Sequence, residues 1–258
     1  MHNNAINSDV QKRCFALLLH AGYGERWARQ TMDTIFCTYC GKSEPETLDH
    51  VPPACIFPSP RPLDLITVPC CLDCNRGASM DDEYFRMMLV MRQDANHPAV
   101  PKLLPAVMRG LGKSQKRGML GGLLKNMRSV SLKTPAGLYV GQAEAYNVNL
   151  ERLGRVTDRI VKGLYFKEFG SRLPSTHGIR SFAESGLTDI DQDLRLTVGQ
   201  TVASLISNPP RVIGEGVFEY WFQATREDPA TTAWLIRFYA VESFFCITAP
   251  LSAASAVT

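Results

Sequence analysis

Apolar residues recur at helical spacing in several stretches of the chain, and at alternating spacing near its end. Residues 8–31 carry Leu17, Leu18, Leu19 and Trp27, with Met32 just beyond, and predict a helix with a possible break at Gly22 and Gly24. Ser79 reads as an N-cap, because Asp81, Asp82 and Glu83 follow in the first turn, where acids suit the helix dipole. Phe85, Met88, Leu89 and Met91 then carry that helix to about Asp94, before His97-Pro98 ends it. Residues 99–128 predict one or two helices broken at Gly110, Gly112 and Gly121-Gly122. Leu138 to Val148 is a candidate strand. Leu150 to Phe169 is amphipathic, with Leu153, Val156, Ile160 and Leu164 on one side. Leu194, Val198, Val202 and Leu205 mark another helix. Val212 to Ala224, Ala233 to Ala240 and Phe244 to Thr248 are aromatic and β-branched, and predict strands. The aromatic residues Phe218, Tyr220, Trp221, Phe222, Trp234, Phe238 and Tyr239 are expected to be core.

Residues 33–80 break this pattern. They are turn-rich, with little room for long elements. Six of the chain's eight cysteines fall there, between Cys37 and Cys74. Cys37-x2-Cys40 and Cys71-x2-Cys74 form two pairs. Each such pair can place both sulfurs on one tetrahedral zinc, and two pairs make a closed structural site. Zinc then substitutes for a hydrophobic core that so short a segment cannot build. Cys70 competes with Cys71, but Cys70 and Cys74 would be separated by three residues, so Cys71 is the expected ligand. Cys55 is expected to be a small buried residue.

Composition fits an ordinary globular chain: 258 residues, 45% apolar and 21% charged. The most apolar stretch, Ala233 to Leu251, is interrupted by Arg237 and Glu242 and is a poor membrane span. Met1 to Arg13 lacks the apolar run of a secretion signal. These features predict a soluble, cytoplasmic protein with no membrane partner. The net charge of +3 hides an asymmetry. Residues 1–94 sum to −3, residues 95–180 to +11 and residues 181–258 to −5. Ala95 to Gln142 holds eight bases and no acid. Lys113, Lys116, Arg117, Lys125 and Arg128 lie in that run. Arg152, Arg155, Arg159 and Lys162 form a basic stripe on the 150–169 helix. Both sets are candidate contacts to a polyphosphate backbone, with a solvated face or a site for an acidic partner surface as the bland alternative.

Between the cysteine pairs stands Leu48-Asp49-His50-Val51-Pro52-Pro53, and Asn75 directly follows the second pair. Cysteine pair, Asp-His, cysteine pair and Asn, in that order, resemble the zinc-containing branch of the HNH (ββα-metal) endonucleases, most closely the phage recombination endonuclease VII pattern. The resemblance covers about residues 34–80. It implies that Cys37, Cys40, Cys71 and Cys74 hold structural zinc. It also implies that Asp49 and Asn75 ligate a catalytic divalent cation, magnesium or manganese, and that His50 is the general base. Imidazole titrates near neutrality, as deprotonation of an attacking water requires, and a hard cation held by oxygen ligands stabilises phosphate charge. Asp49 and His50 would point to opposite faces of a strand, so one substrate meets both only if the strand ends or bends there, for which Pro52-Pro53 is the candidate. The middle asparagine of the pattern is missing; Asp64 is its nearest substitute.

The expected architecture is α+β. An N-terminal helical segment (1–33) leads to a small zinc-stabilised ββα-metal, treble-clef-like module (34–94). An α+β C-terminal domain (95–258) follows, with basic helices and an antiparallel sheet, for nucleic-acid binding or dimerisation. The expected function is metal-dependent hydrolysis of DNA, with RNA as the alternative substrate. A non-catalytic zinc-finger module binding nucleic acid or protein is the rival. A homodimer would help cut both strands.

Overall fold

The computed structural model describes residues 36–251, apart from 43, 93, 113–117, 119–120, 123–124, 126, 135 and 185–191. The helix expected over 8–31 therefore lies outside the described residues, as do Lys113, Lys116 and Arg117. The fold is mixed α and β, and the described strands pair antiparallel throughout.

Two short strands, β1 (Thr47–Val51) and β2 (Ile66–Cys70), form a hairpin in which Asp49 faces Val68 and His50 faces Thr67. A short 3₁₀ turn, Ala54–Ile56, sits in the long connection between them. Helix α1 (Leu72–Gly77) follows β2 directly, and α2 (Ser79–Val90) follows α1. Ser79 is not the N-cap. Ala78 stays in helical conformation, so the chain kinks from one helix into the next without an extended capping residue, and the Ser79 hydroxyl donates to the Arg76 carbonyl instead. Helix α3 (Ala99–Leu111) ends at Gly112, as the glycine pattern predicts.

An unpredicted strand, β3 (Arg128–Lys133), pairs with β4 (Tyr139–Ala145) as a separate two-stranded ribbon. Helix α4 (Leu150–Phe169) has the predicted bounds. The Asn149 side chain caps its start by accepting from the Arg152 amide, and Gly170 ends it in the left-handed region at φ 70°.

The main sheet has five strands in the order β5-β9-β8-β7-β6. They are β5 (His177–Ala183), β6 (Arg211–Ile213), β7 (Phe218–Ala224), β8 (Thr232–Phe238) and β9 (Glu242–Pro250). The single strand expected over 212–224 is two, because the turn at 214–216 places three consecutive residues at positive φ. Alternation sorts the sheet's two faces. Phe218, Tyr220, Trp234, Ile236, Phe238, Phe244 and Cys246 join the main core. Trp221, Leu235 and Phe245 face the other way, under Val198 and Leu205 of α5 (Gln192–Ile206). The aromatic run is core, as expected.

Helix α4 lies between the hairpin and the sheet, and one continuous core spans both. Val51, Ile56 and Val68 belong to the same cluster as Phe85, Ile160, Leu164 and Trp234. The Tyr239 hydroxyl donates to the Ile56 carbonyl at 2.6 Å, pinning the hairpin connection to the sheet. The approach of α4 to β1 needs a glycine. A Cβ on Gly163 would lie 2.4 Å from Val51 Cγ2. Gly163→Ala is therefore expected to lower stability by about 1–3 kcal/mol in denaturant unfolding. Gly154→Ala, on the same helix with open space around it, should cost nothing or stabilise by up to about 1 kcal/mol.

Candidate metal centre and the surrounding charges

The first cysteine pair sits in a tight turn. The Gly41 amide donates to the Cys37 carbonyl, and Gly41 adopts φ 64°, which its lack of a side chain permits. The Thr38 amide donates to the Pro69 carbonyl and so ties this turn to β2. The second pair is formed where β2 runs into α1, with the Asn75 amide donating to the Cys71 carbonyl. These two turns bring the sulfurs of Cys37, Cys40, Cys71 and Cys74 to within 4.8 Å of one another. The Cys40 and Cys71 sulfurs are 3.9 Å apart. Bonds of about 2.3 Å in a tetrahedron would put zinc-bound sulfurs about 3.8 Å apart. The donor set therefore fits a zinc ion, and Cys71 rather than Cys70 completes it. Cys70 stands just outside: its thiol donates to the Cys71 carbonyl at 3.2 Å, while its nearness to Cys37 draws the Cys37 thiol down and pushes Cys70 itself up. Cys55 and Cys246 are the remaining described cysteines, and burial pushes each up to about 12, so they are inert thiols.

Asn75 stands at the second turn of α1. Its side-chain amide donates to Thr47 Oγ1 at 3.0 Å and to the Leu48 carbonyl at 3.5 Å, stitching α1 to β1. Asp49 is 8% exposed. Its Oδ1 accepts from the His50 amide at 2.9 Å, and its Oδ2 accepts from the Tyr39 hydroxyl at 2.7 Å. Arg159 Nε of α4 lies 3.4 Å from the same Oδ2. Both carboxylate oxygens are thus engaged, and as the side chains stand they do not receive a divalent cation.

His50 faces away from Asp49. β1 stays paired as far as Val51, so the strand neither ends nor bends at the Asp-His step. Asp49 and Val51 face α4 and His50 faces the other side. The expected convergence of His50 with Asp49 and Asn75 is not seen. The His50 ring is half-buried and makes no hydrogen bond to the described residues. Burial lowers its pKa below the ordinary 6.5, the Asp49 charge opposes this, and the Arg61 charge adds to it. Arg61 lines a cleft of about 650 Å³ with Lys102, His97, the 58–64 loop and the 214–217 turn. Asp64, at the cleft's edge, accepts from the Gly214 amide at 3.3 Å and so ties this loop to the sheet.

The basic stripe of α4 is not a free surface. Arg152 and Arg155 each place Nε 2.7 Å from Asp81. Arg159 Nη2 lies 2.7 Å from both oxygens of Asp82. Burial nevertheless pushes the Asp82 carboxyl up to about 6, with Arg159 opposing. Arg152 also covers the Tyr84 ring at 4.4 Å. Three of the four stripe residues thus clamp α2 to α4. Lys162 makes no ion pair within 4.0 Å among the described residues, although its charge reaches Asp158. Asp81 and Asp82 read in the sequence as helix-start acids, and no local signal shows that their partners lie about seventy positions away. Lys125 and Arg128 are exposed.

Comparison of the chain with protein-family models, with curated proteins and with solved structures finds no match in any of the three. No described helix is long and apolar enough to cross a membrane.

Proposed function

We propose that this protein is a metal-dependent, HNH-type endonuclease that hydrolyses phosphodiester bonds in DNA. The observation that carries the reading is the order of parts. A thiolate turn, a strand with Asp49-His50, a second strand, a second thiolate turn and a helix with Asn75 form one hairpin-and-helix unit around a zinc-compatible cluster. His50 is the base: its ring makes no hydrogen bond to the described residues and is kept neutral by burial, so it can take a proton from water near pH 7. Arg61 and Lys102 offer positive charge to a backbone phosphate in the neighbouring cleft. Asp49 and Asn75 are the residues that the resemblance assigns to a magnesium or manganese ion, which would supply Lewis-acid stabilisation of phosphate charge. Arg159 and Tyr39 must release Asp49, and the Val51 end of β1 must open so that His50 turns to the same side, before these residues act on one phosphate.

The test is plasmid nicking by zinc-loaded protein with added magnesium or manganese. His50→Ala is expected to lower the rate about 10²–10⁴-fold. The wild-type rate should climb as pH rises toward 6.5 and level off by about pH 7, because burial places the His50 titration on the acid side of its ordinary value. Equal cutting by wild type and His50→Ala removes His50 from the mechanism.

A second reading, a zinc-stabilised binding module without catalysis, is favoured by the closed state of Asp49. It predicts no cleavage of duplex DNA, single-stranded DNA or RNA with either cation, together with binding that survives Asp49→Ala, His50→Ala and Asn75→Ala.

A further inference from the structure

The β3–β4 ribbon pairs with no other described strand. Among the described residues neither of its outer edges is paired, and most of its residues are exposed. Its apolar side chains point into solvent: Leu132 is 43% exposed, Leu138 72%, Tyr139 58% and Val140 64%. An isolated hairpin is marginal in water, and open edges carrying apolar side chains are normally covered. We infer that this ribbon is an arm that grips duplex DNA.

Charge selects this occupant. The run from Ala95 to Gln142 leads into and through the ribbon with eight bases and no acid. Arg128 and Lys133 stand at opposite ends of β3, exposed and in no ion pair among the described residues, whereas three arginines of the α4 stripe are neutralised by Asp81 and Asp82. Glu144 is the ribbon's one carboxylate. Size agrees. Six residues of strand reach about 20 Å, and a major groove about 12 Å wide admits a two-stranded ribbon. The Leu138-Tyr139-Val140 tip supplies apolar contact to base edges or sugars, as groove-binding arms do. A second copy of this chain is the weaker occupant. In a symmetric pairing the exposed Arg128 and Lys133 would meet the like charges of the copy, with Glu144 alone to offset them.

The inference rests on the nucleic-acid reading above but not on catalysis, so it is measured as binding. The probe is a labelled 30-base-pair duplex, titrated with zinc-loaded protein in magnesium-free buffer at several salt concentrations. Arg128→Ala with Lys133→Ala is expected to weaken binding about tenfold and to reduce the salt slope by about 2, one for each phosphate no longer neutralised. Replacing residues 128–145 by a short Gly-Ser linker should weaken it further. The linker is geometrically feasible, because Arg128 and Ala145 face each other across the ladder. Zinc content and melting temperature report whether each variant remains folded. If folded variants bind with the affinity and slope of the intact chain, the arm does not contact DNA and the inference is overturned. The same holds if light scattering shows the linker variant dissociating a dimer while its DNA binding is unchanged, since a second copy is then the occupant. If the intact chain binds no duplex, the nucleic-acid reading fails and the arm's assignment with it.

Discussion

Stripping zinc with a strong chelator should unfold the hairpin end of this protein and abolish its native thermal transition. Four cysteine sulfurs converge within 4.8 Å, two of them on buried and two on half-buried residues, and without a metal they are left mutually repelling or protonated. Structural zinc sites contribute on the order of 10–16 kcal/mol in small peptides, as much as the whole stability of an ordinary domain, about 5–15 kcal/mol. The loss cannot stay local, because Val51 and Val68 of the same hairpin are part of the main core. Elemental analysis should give one zinc per chain. Cys37→Ser and Cys71→Ser should each lose the zinc and melt early. Cys70→Ser and Cys246→Ser should retain one equivalent, since neither sulfur belongs to the cluster. A melting curve indifferent to chelation, or a Cys70→Ser protein without zinc, would overturn the assignment.

Arg159→Ala should cost about 3–5 kcal/mol in denaturant unfolding, as much as truncating a large core side chain. The guanidinium is bonded to Asp82 at 2.7 Å and lies 3.4 Å from Asp49, and its own side chain is 11% exposed. Its removal strands two carboxylates with little access to water. The damage should depend on pH with a definite sign. Burial already holds Asp82 at about 6, above the ordinary 3.8. The folded state therefore binds more protons than the unfolded state between those values, and this group's contribution to stability falls as pH rises through them. Without Arg159 the carboxyl is driven higher, so acidification from pH 7 toward 5 should recover part of the loss. Asp82→Asn in the Arg159→Ala background should recover part of it at pH 7. Arg159→Lys should rescue incompletely, because an ammonium cannot reach both oxygens of Asp82 and Asp49 with one rigid fork. A loss under about 1 kcal/mol for Arg159→Ala would mean that the cluster is solvated.

Local signals carried much of this architecture. The bounds of α4 were readable because Asn149 and Gly170 mark its ends and the apolar stripe between them is unbroken. The cysteine pairs were readable because their spacing is set by the turn that each must make. Strands β7, β8 and β9 announced themselves through buried aromatic and β-branched alternation. What was not readable depends on partners distant in sequence. The arginines of α4 look free until Asp81 and Asp82 are brought opposite them. Whether Asp49 and His50 share a face turns on a bend that Pro52-Pro53 allows in the sequence and that pairing through Val51 rules out in the fold. β3 carries little apolar alternation because no core lies beneath it. β5, which begins His-Gly and mixes polar with apolar residues, is held by its pairing with β9 and not by any pattern of its own.

A thiolate knuckle is often a portable cartridge, able to move between proteins because the metal is its entire interior. The hairpin here has surrendered that independence. Val51 seats against Gly163 of α4, Ile56 is pinned by Tyr239 from the sheet, and Val68 shares the core of both. Residues 34–94 excised alone would keep the four cysteines and still expose an apolar underside that the rest of the chain covers. Inheritance, truncation and engineering must therefore treat the pieces as a single unit, and a lesion in the far sheet can register at the sulfurs.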